Sequence, residues 1–319
     1  MKRQRHARIV AVAVLVVLGL GSELLAQNKP TQDQWELAAK NPRLFLETMV
    51  KQFGWTEPAE PMKVGGSLYF GGTKGLSVWL ITTSEGLILM NTAMPGSGPM
   101  IEASIRKLRF KPEDIKIMLT GHAHTDHVGG HAYMKKLTGA QVVMMDSAVD
   151  LLESGGKTDF MYGNVPEMAF EPVKVDRVIR DGDTVRLGDV ILTALSTPGH
   201  TRGSTTWLMN ITYGGKTYRV IFPDGAGFNP GYRVAVNPSY PGIGDDYRRT
   251  FYILEMQKPD IWLFLHTDAL NLDEKRARSA TEGIQAWVDP EGYRKWVVSA
   301  RAAFEALVDR EMSASATPK

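Results

Sequence analysis

Three histidines and one aspartate lie within six consecutive residues, directly after an apolar segment that is typical of a buried strand. The segment runs from Ile115 to Leu119, and the residues that follow it include His122, His124, Asp126 and His127. On an extended turn, side chains two residues apart point the same way, so His122 and His124 can share one ion. The 319-residue chain has no cysteine, so a zinc site must use imidazole and carboxylate ligands. The spacing predicts a metal site at a strand end, with Asp126 and His127 available to a second ion.

Two further histidines follow predicted strands elsewhere in the chain. His200 comes after the predicted strand from Val190 to Leu195, and His266 ends the predicted strand from Ile261 to Leu265. Five of the seven histidines therefore lie at or just past strand ends, which favours ligands over five unrelated side chains. His131 lies just inside a predicted helix, and we interpret it as a supporting or surface residue.

Short strands and helices alternate along most of the chain, and no repeat or linker divides it. The apolar periodicity predicts strands at 76–81, 87–90, 115–119, 142–145, 173–179, 190–195, 205–211, 218–222 and 261–265. It predicts helices at 43–53, 132–137 and 247–256, a short helix from Ser147, and two terminal helices, the last beginning with Asp289 as its N-cap. This order indicates an α+β protein in which two sheets pack together under a cover of helices.

The first 26 residues have the pattern of a signal peptide. A basic head is followed by the apolar run from Ile9 to Leu20 and by a cleavage site after Ala26; an uncleaved anchor is the alternative. Removal of residues 1–26 changes the formal net charge from +2 to −1, so no nucleic-acid or membrane partner is indicated. We expect residues 27–319 to form one catalytic domain in the periplasm or outside the cell, with residues 27–42 as a loose N-terminus.

The sequence from His122 to His127 reads H-x-H-x-D-H and resembles the signature of the metallo-β-lactamase superfamily. Within it the chain looks most like class B, subclass 3, because several downstream motifs recur in the same order between about 65 and 272. These motifs are T-P-G-H-T-x-G-S at 197–204, N-P-G-Y at 229–232, N-P at 237–238, Y-P at 240–241, D-Y at 246–247 with Phe251, and P-D at 259–260 leading to His266. The resemblance implies a four-layer αββα sandwich with metals at one edge.

The resemblance also implies two Zn²⁺ ions and assigns their ligands. His122, His124 and His200 would bind the first ion, and Asp126, His127 and His266 the second. A hydroxide between the ions, oriented by Asp126, would attack the β-lactam amide without an acyl-enzyme. The expected partner is a small-molecule β-lactam, the expected role is antibiotic resistance, and the expected oligomeric state is monomeric.

One segment departs from the subclass pattern. Members of this subclass often carry serines that bind the substrate carboxylate, where this chain has Phe222-Pro-Asp-Gly-Ala-Gly227. Asn229 and Tyr232 in the following loop are candidate replacements, and Phe160 and Tyr162 are candidates to cover the ligand from another loop. Asp224 occupies a position where glyoxalase-type and lactonase-type relatives have a metal-bridging aspartate. Since Gly225 matches the usual serine position, we favour a supporting role for Asp224.

Three functions are compatible with such a site. The first is β-lactam hydrolysis, and the alternative is hydrolysis of lactones or thioesters by the same kind of metal centre. The third is zinc binding without catalysis, which is disfavoured because six protein ligands for two ions leave an open position between them.

Overall fold

In the part of the chain that the structure describes, twelve strands arranged in two sheets form the framework. The structure is a computed structural model that describes residues 32–316, so the predicted signal peptide at 1–26 lies outside the described residues. The strands are β1 (Met62–Gly65), β2 (Leu68–Phe70), β3 (Trp79–Thr83), β4 (Gly86–Met90), β5 (Ile115–Leu119), β6 (Gln141–Met145), β7 (Arg177–Ile179), β8 (Thr184–Leu187), β9 (Val190–Ser196), β10 (Thr205–Tyr213), β11 (Lys216–Phe222) and β12 (Ile261–Trp262).

The helices alternate with these strands along the described part of the chain. They are α1 (Gln32–Lys40), α2 (Pro42–Phe53), α3 (Gly98–Lys107), α4 (Thr125–Val128), α5 (His131–Thr138), α6 (Val149–Glu153), α7 (Ile243–Met256), α8 (Leu272–Glu282) and α9 (Pro290–Ala316). Within residues 32–316, no helix combines the length and the apolar character that crossing a bilayer requires.

The two sheets have different strand orders. The first sheet runs in the order β1 to β7, and it is antiparallel from β1 to β4 and parallel from β4 to β7. The second sheet runs β12-β11-β10-β9-β8 and is antiparallel except for the β11–β12 pair. Helices α3 and α5 contact each other on the first sheet, and α7 and α9 contact each other beside the second. The predicted α+β sandwich is therefore confirmed.

Large aromatic side chains fill the space between the sheets. The ring of Trp79 on β3 lies 6.3 Å from that of Phe222 on β11 and 6.2 Å from that of Trp287, measured between centroids. All three side chains are almost completely buried. Edge-to-face and tilted pairs of this kind contribute packing energy beyond their buried area, so the contact fixes how one sheet lies on the other.

Several elements were absent from the sequence prediction. Strands β1, β2 and β8 have only three or four residues each, too few for a clear alternation. The predicted loose segment 27–42 contains helix α1, which packs against α2. The predicted strand 261–265 ends at Trp262 because the chain then crosses to the first sheet, where the Ser77 amide donates to the Leu265 carbonyl at 2.8 Å.

Two hydrogen bonds tie the end of β5 to the second sheet. The indole Nε1 of Trp207 on β10 donates to the Thr120 carbonyl at 2.9 Å, and the Thr205 amide donates to the Gly121 carbonyl at 2.7 Å. Thr120 and Gly121 directly precede His122. The loop that carries the histidine cluster is therefore fixed from both sheets.

We predict that Trp207→Phe costs about 1–3 kcal/mol more in unfolding free energy than Trp79→Phe, because it leaves the buried Thr120 carbonyl without its donor. Trp79 is the matched control: it is equally buried, and its Nε1 has no hydrogen-bond partner among the described residues. Urea denaturation followed by circular dichroism measures both losses. Equal losses in the two variants would show that the inter-sheet hydrogen bond contributes nothing to stability.

Candidate metal centre

The ends of four strands from both sheets meet at one edge of the sandwich. The cluster from His122 to His127 follows β5 of the first sheet. His200 follows β9, Asp224 follows β11 and His266 follows β12, all from the second sheet. Since every one of these residues lies just past a strand end, the packing of the sheets brings side chains together that are up to 144 positions apart in sequence.

His122, His124 and His200 form the first group. One ring nitrogen from each lies within 4.8 Å of the others, and Nδ1 of His124 is 3.1 Å from Nε2 of His200. The three ring centroids are 4.4 to 4.8 Å apart. Two nitrogens bound to one tetrahedral zinc at about 2.0–2.1 Å are roughly 3.3 Å apart, so the spacing suits a single ion.

The outer nitrogen of each imidazole in this group faces an acceptor. Nδ1 of His122 is 2.8 Å from the Asp224 carboxylate, and Nε2 of His124 is 3.1 Å from the Asp159 carboxylate. Nδ1 of His200 is 3.1 Å from the Gly227 carbonyl. An N–H that donates outward leaves the inner nitrogen with a lone pair, which is how metal-binding histidines are oriented.

Asp126, His127 and His266 lie next to the first group. The Asp126 carboxylate is 3.2 Å from Nε2 of His127 and 3.6 Å from Nε2 of His266. Ligand atoms of His122, Asp126 and His127 also lie within 4.8 Å of one another. The two groups are thus adjacent, as the paired sites of a two-metal hydrolase require.

Burial keeps several of these imidazoles neutral. It lowers the pKa of His122 well below its usual value and those of His200 and His266 to about 3, with nearby imidazoles adding to the effect in each case. Burial alone would raise the pKa of Asp126, but the imidazoles of His127 and His266 lower it. Neutral imidazole and ionised carboxylate are the protonation states that bind metal.

Among the described residues, Nε2 of His122 and Nδ1 of His127 are buried without a hydrogen-bond partner, and Nε2 of His127 meets only the Asp126 carboxylate, without hydrogen-bond geometry. A buried polar atom without a partner costs free energy. A cation removes that cost, and nitrogen and carboxylate oxygen are ligands that zinc takes. The residues present therefore fit a metal centre.

A pocket of about 870 Å³, counted with its open mouth, lies over these residues. Of the four predicted substrate contacts, Asn229 and Tyr162 line it, whereas Phe160 and Tyr232 do not. The Tyr232 hydroxyl donates to the His200 carbonyl at 2.8 Å, and its ring packs against those of His200 and Phe160. Tyr232 therefore contacts His200 from outside the pocket lining, with Phe160 packed against Tyr232, and a contact of these two residues with substrate stays a prediction.

Asp224 lies behind His122 instead of between the two groups. Its Oδ2 pairs with His122, and its Oδ1 accepts the Gly225 amide at 2.6 Å. The close approach of the Asp224 carboxylate to His122 requires a glycine at position 121, since a Cβ there would overlap that carboxylate. This is the supporting position that the sequence favoured.

Two contributions to the site escaped the sequence prediction. Asp159 supports His124, and no local pattern marks a single aspartate in a loop as the partner of a distant histidine. Helix α2 supplies Phe45 and Leu46 to the pocket wall; a helix at 43–53 was predicted, but not its contact with the site. His131 is fully buried, so the surface interpretation was wrong: its Nδ1 pairs with the Thr92 hydroxyl at 2.7 Å.

Comparisons with known proteins agree with this geometry. The family model of the metallo-β-lactamase superfamily matches residues 71–209. A hydroxyacylglutathione hydrolase of Methylobacterium sp. (strain 4-46) is 33% identical over 109 residues, which are 34% of this chain and 35% of that protein. The chain spans about a third of the length of the curated relatives it first matches.

Solved structures match a much larger share of this chain, and of their own chains, than the curated relatives do. The native FEZ-1 metallo-β-lactamase from Legionella gormanii is 39% identical with a TM-score of 0.78, covering 80% of this chain and 98% of that one. BJP-1, a subclass B3 metallo-β-lactamase of Bradyrhizobium japonicum, is 39% identical with a TM-score of 0.76, covering 83% and 99%. The chain therefore belongs to the metallo-β-lactamase superfamily of metal-dependent hydrolases, and its structural neighbours are class B3 metallo-β-lactamases.

Proposed function

We propose that this protein is an exported zinc-dependent β-lactamase that opens the β-lactam amide and thereby confers antibiotic resistance. The observation that carries the proposal is the near-complete coverage of solved class B3 metallo-β-lactamases, at 98% and 99% of their chains. The basic and apolar pattern of residues 1–26 supports export to the periplasm or beyond. We propose that residues 27–319 act as one monomeric catalytic domain.

The proposed metal ligands are the six residues of the two groups, each group holding one Zn²⁺. The first ion is assigned to His122, His124 and His200, and the second to Asp126, His127 and His266. Zinc bound there supplies Lewis acidity and a nucleophile that forms from water near neutral pH. The chain contributes the imidazoles, the hydrogen bonds that orient His122, His124 and His200, and the pocket over them.

Asp126 is the proposed catalytic residue. Its carboxylate is only 13% exposed and stays ionised beside His127 and His266. An ionised carboxylate at this point accepts a hydrogen bond from an attacking water and so fixes its direction of approach. No separate strong base is needed, because a bound metal ion already lowers the pKa of water.

The pocket wall indicates how the rest of the substrate binds. The larger apolar side chains of the lining come from α2 and the segment after it, from 151–170, from the loop after β11 and from the residues just past β12. They are Phe45, Leu46, Trp55, Leu151, Met168, Phe170, Phe228, Phe264 and Leu265. No lysine or arginine of the described chain is among the lining residues. Asn229 is thus the proposed donor to a substrate carbonyl or carboxylate, and the apolar wall is the proposed site for its side arm.

Hydrolysis of thioesters or lactones is the alternative function. It is favoured by the match to hydroxyacylglutathione hydrolases and by the presence of Asp224 at a strand end near the centre. The supporting position of Asp224 argues against it, since both carboxylate oxygens are engaged by His122 and Gly225.

We expect the purified zinc-loaded protein to hydrolyse a penicillin, a cephalosporin and a carbapenem with higher kcat/KM than lactone or thioester substrates. Each reaction is followed by absorbance, and a chelator is expected to abolish turnover until zinc is restored. Turnover of lactones or thioesters alone would refute the β-lactamase proposal and support the alternative.

His122→Ala is expected to lower both zinc content and kcat/KM, the latter by more than about 100-fold, because loss of a ligand exceeds the effect of losing a supporting residue. Zinc content is measured by plasma mass spectrometry. Tyr133→Phe is the control: Tyr133 lies on α5 outside the pocket lining, and its hydroxyl donates to Glu102, so zinc content should stay normal. Wild-type zinc content and turnover in His122→Ala would rule out the proposed centre.

Phe45→Ala is expected to reduce the preference for substrates with an aromatic side arm. Benzylpenicillin and 6-aminopenicillanic acid share the reacting ring system and differ in that arm. Burying an aromatic side chain contributes about 1.5–3 kcal/mol, so the ratio of their kcat/KM values should fall by about tenfold or more. Phe304→Ala is the control, because Phe304 is buried against Tyr247 and Phe251, outside the pocket wall. An unchanged ratio in Phe45→Ala would refute the proposal that the apolar wall binds the side arm of the substrate.

A further inference from the structure

Residues 155–163 form a covering segment beside the metal centre. The segment follows α6, and its residues Gly156, Asp159 and Tyr162 line the pocket. The Asp159 amide donates to the Gly156 carbonyl, and the Gly163 amide donates to the Asp159 carbonyl, both at 3.1 Å. Asp159 thus lies at the middle of a compact turn.

The carboxylate of Asp159 makes two kinds of contact at once. Its Oδ1 accepts the amides of Met161 and Tyr162, both at 2.7 Å. Its Oδ2 lies 3.1 Å from Nε2 of His124, and the side chain is only 2% exposed. Oδ1 therefore accepts the hydrogen bonds that hold the turn of the covering segment together, while Oδ2 accepts one from His124, a proposed zinc ligand.

The contact with Asp159 selects the tautomer of His124. An acceptor at Nε2 favours the proton on that nitrogen and leaves the lone pair on Nδ1. Nδ1 is the nitrogen that faces His200 across 3.1 Å, toward the point shared by the first group. The covering segment also contacts His124 through Tyr162, whose ring centroid lies 5.7 Å from that of His124 in an edge-on arrangement.

We propose that Asp159 is a positioning residue that couples zinc binding at His124 to the order of the covering segment. This inference rests on the proposed metal centre. A segment closed around Asp159 presents the carboxylate that orients His124 for the metal. By thermodynamic linkage, a metal bound to Nδ1 of His124 stabilises the closed segment by the same free energy.

The test is Asp159→Asn, which nearly preserves the shape of the side chain. The amide oxygen can still accept from Met161 and Tyr162, but the amide N–H now faces Nε2 of His124. That favours a lone pair on Nε2 and the proton on Nδ1, the nitrogen that zinc needs. We expect the zinc Kd, measured by competition with a chelating dye, to rise about 10- to 100-fold.

Amide hydrogen exchange measures the second effect, which is the ordering of the covering segment when zinc binds. In the wild type, zinc should slow exchange of the Met161 and Tyr162 amides relative to chelator-treated protein. In Asp159→Asn, that difference should shrink. Asp150→Asn is the matched control, because Asp150 is an exposed carboxylate on α6 and its loss should change neither measurement.

Two results would overturn the proposal: a wild-type zinc Kd in Asp159→Asn, or exchange at Met161 and Tyr162 that does not respond to zinc in the wild type. The second measurement needs no variant, so it decides the question even if Asp159→Asn fails to fold. A protein that shows both effects but hydrolyses no β-lactam would refute the proposed function and leave the coupling intact.

Discussion

The packing of one sheet on the other is the constraint on which the rest of the structure depends. His122 to His127 follow the first sheet, whereas His200, Asp224 and His266 follow the second. The aromatic contact between Trp79 and Phe222 and the hydrogen bond from Trp207 to Thr120 therefore set the distances within the metal centre. A shift of the sheets by one ångström would separate the proposed ligands, whose positions must be correct to within a few tenths of an ångström if they are to share an ion.

The two groups of proposed ligands are held by different numbers of hydrogen bonds. Each imidazole of the first group has an acceptor behind it, namely Asp224, Asp159 or the Gly227 carbonyl. In the second group, Nε2 of His127 lies 3.2 Å from the Asp126 carboxylate without hydrogen-bond geometry, and its Nδ1 has no hydrogen-bond partner among the described residues. A buried polar group without a partner costs about 1–3 kcal/mol. Hydrogen bonds within the protein thus orient the imidazoles of the first group. The orientation of His127 in the second group depends more on a bound ion.

The sequence predicted those parts of the site that are local in the chain. Strand-end histidines could be found because each follows an apolar segment of five or more residues, and the sandwich could be inferred from the order of those segments. Asp159 could not be found, since its partner His124 is 35 positions away and only folding brings them together. For the same reason, the sequence did not show that Phe160 and Tyr232 lie outside the pocket lining. An aromatic side chain in a loop can point into a pocket or behind it, and the sequence around it is the same in both cases.

Gly225 shows why the site lacks the serine hydroxyl that related enzymes often carry. Its φ of 88° belongs to the region that favours glycine, and a Cβ there would overlap the Thr197 carbonyl oxygen. The Gly225 carbonyl also accepts the His200 amide at 3.2 Å, and its amide donates to Asp224. The close approach that positions both residues therefore excludes any side chain at this point. In the proposed function, polar recognition of the substrate is assigned to Asn229, which lies four residues later and lines the pocket together with many apolar side chains.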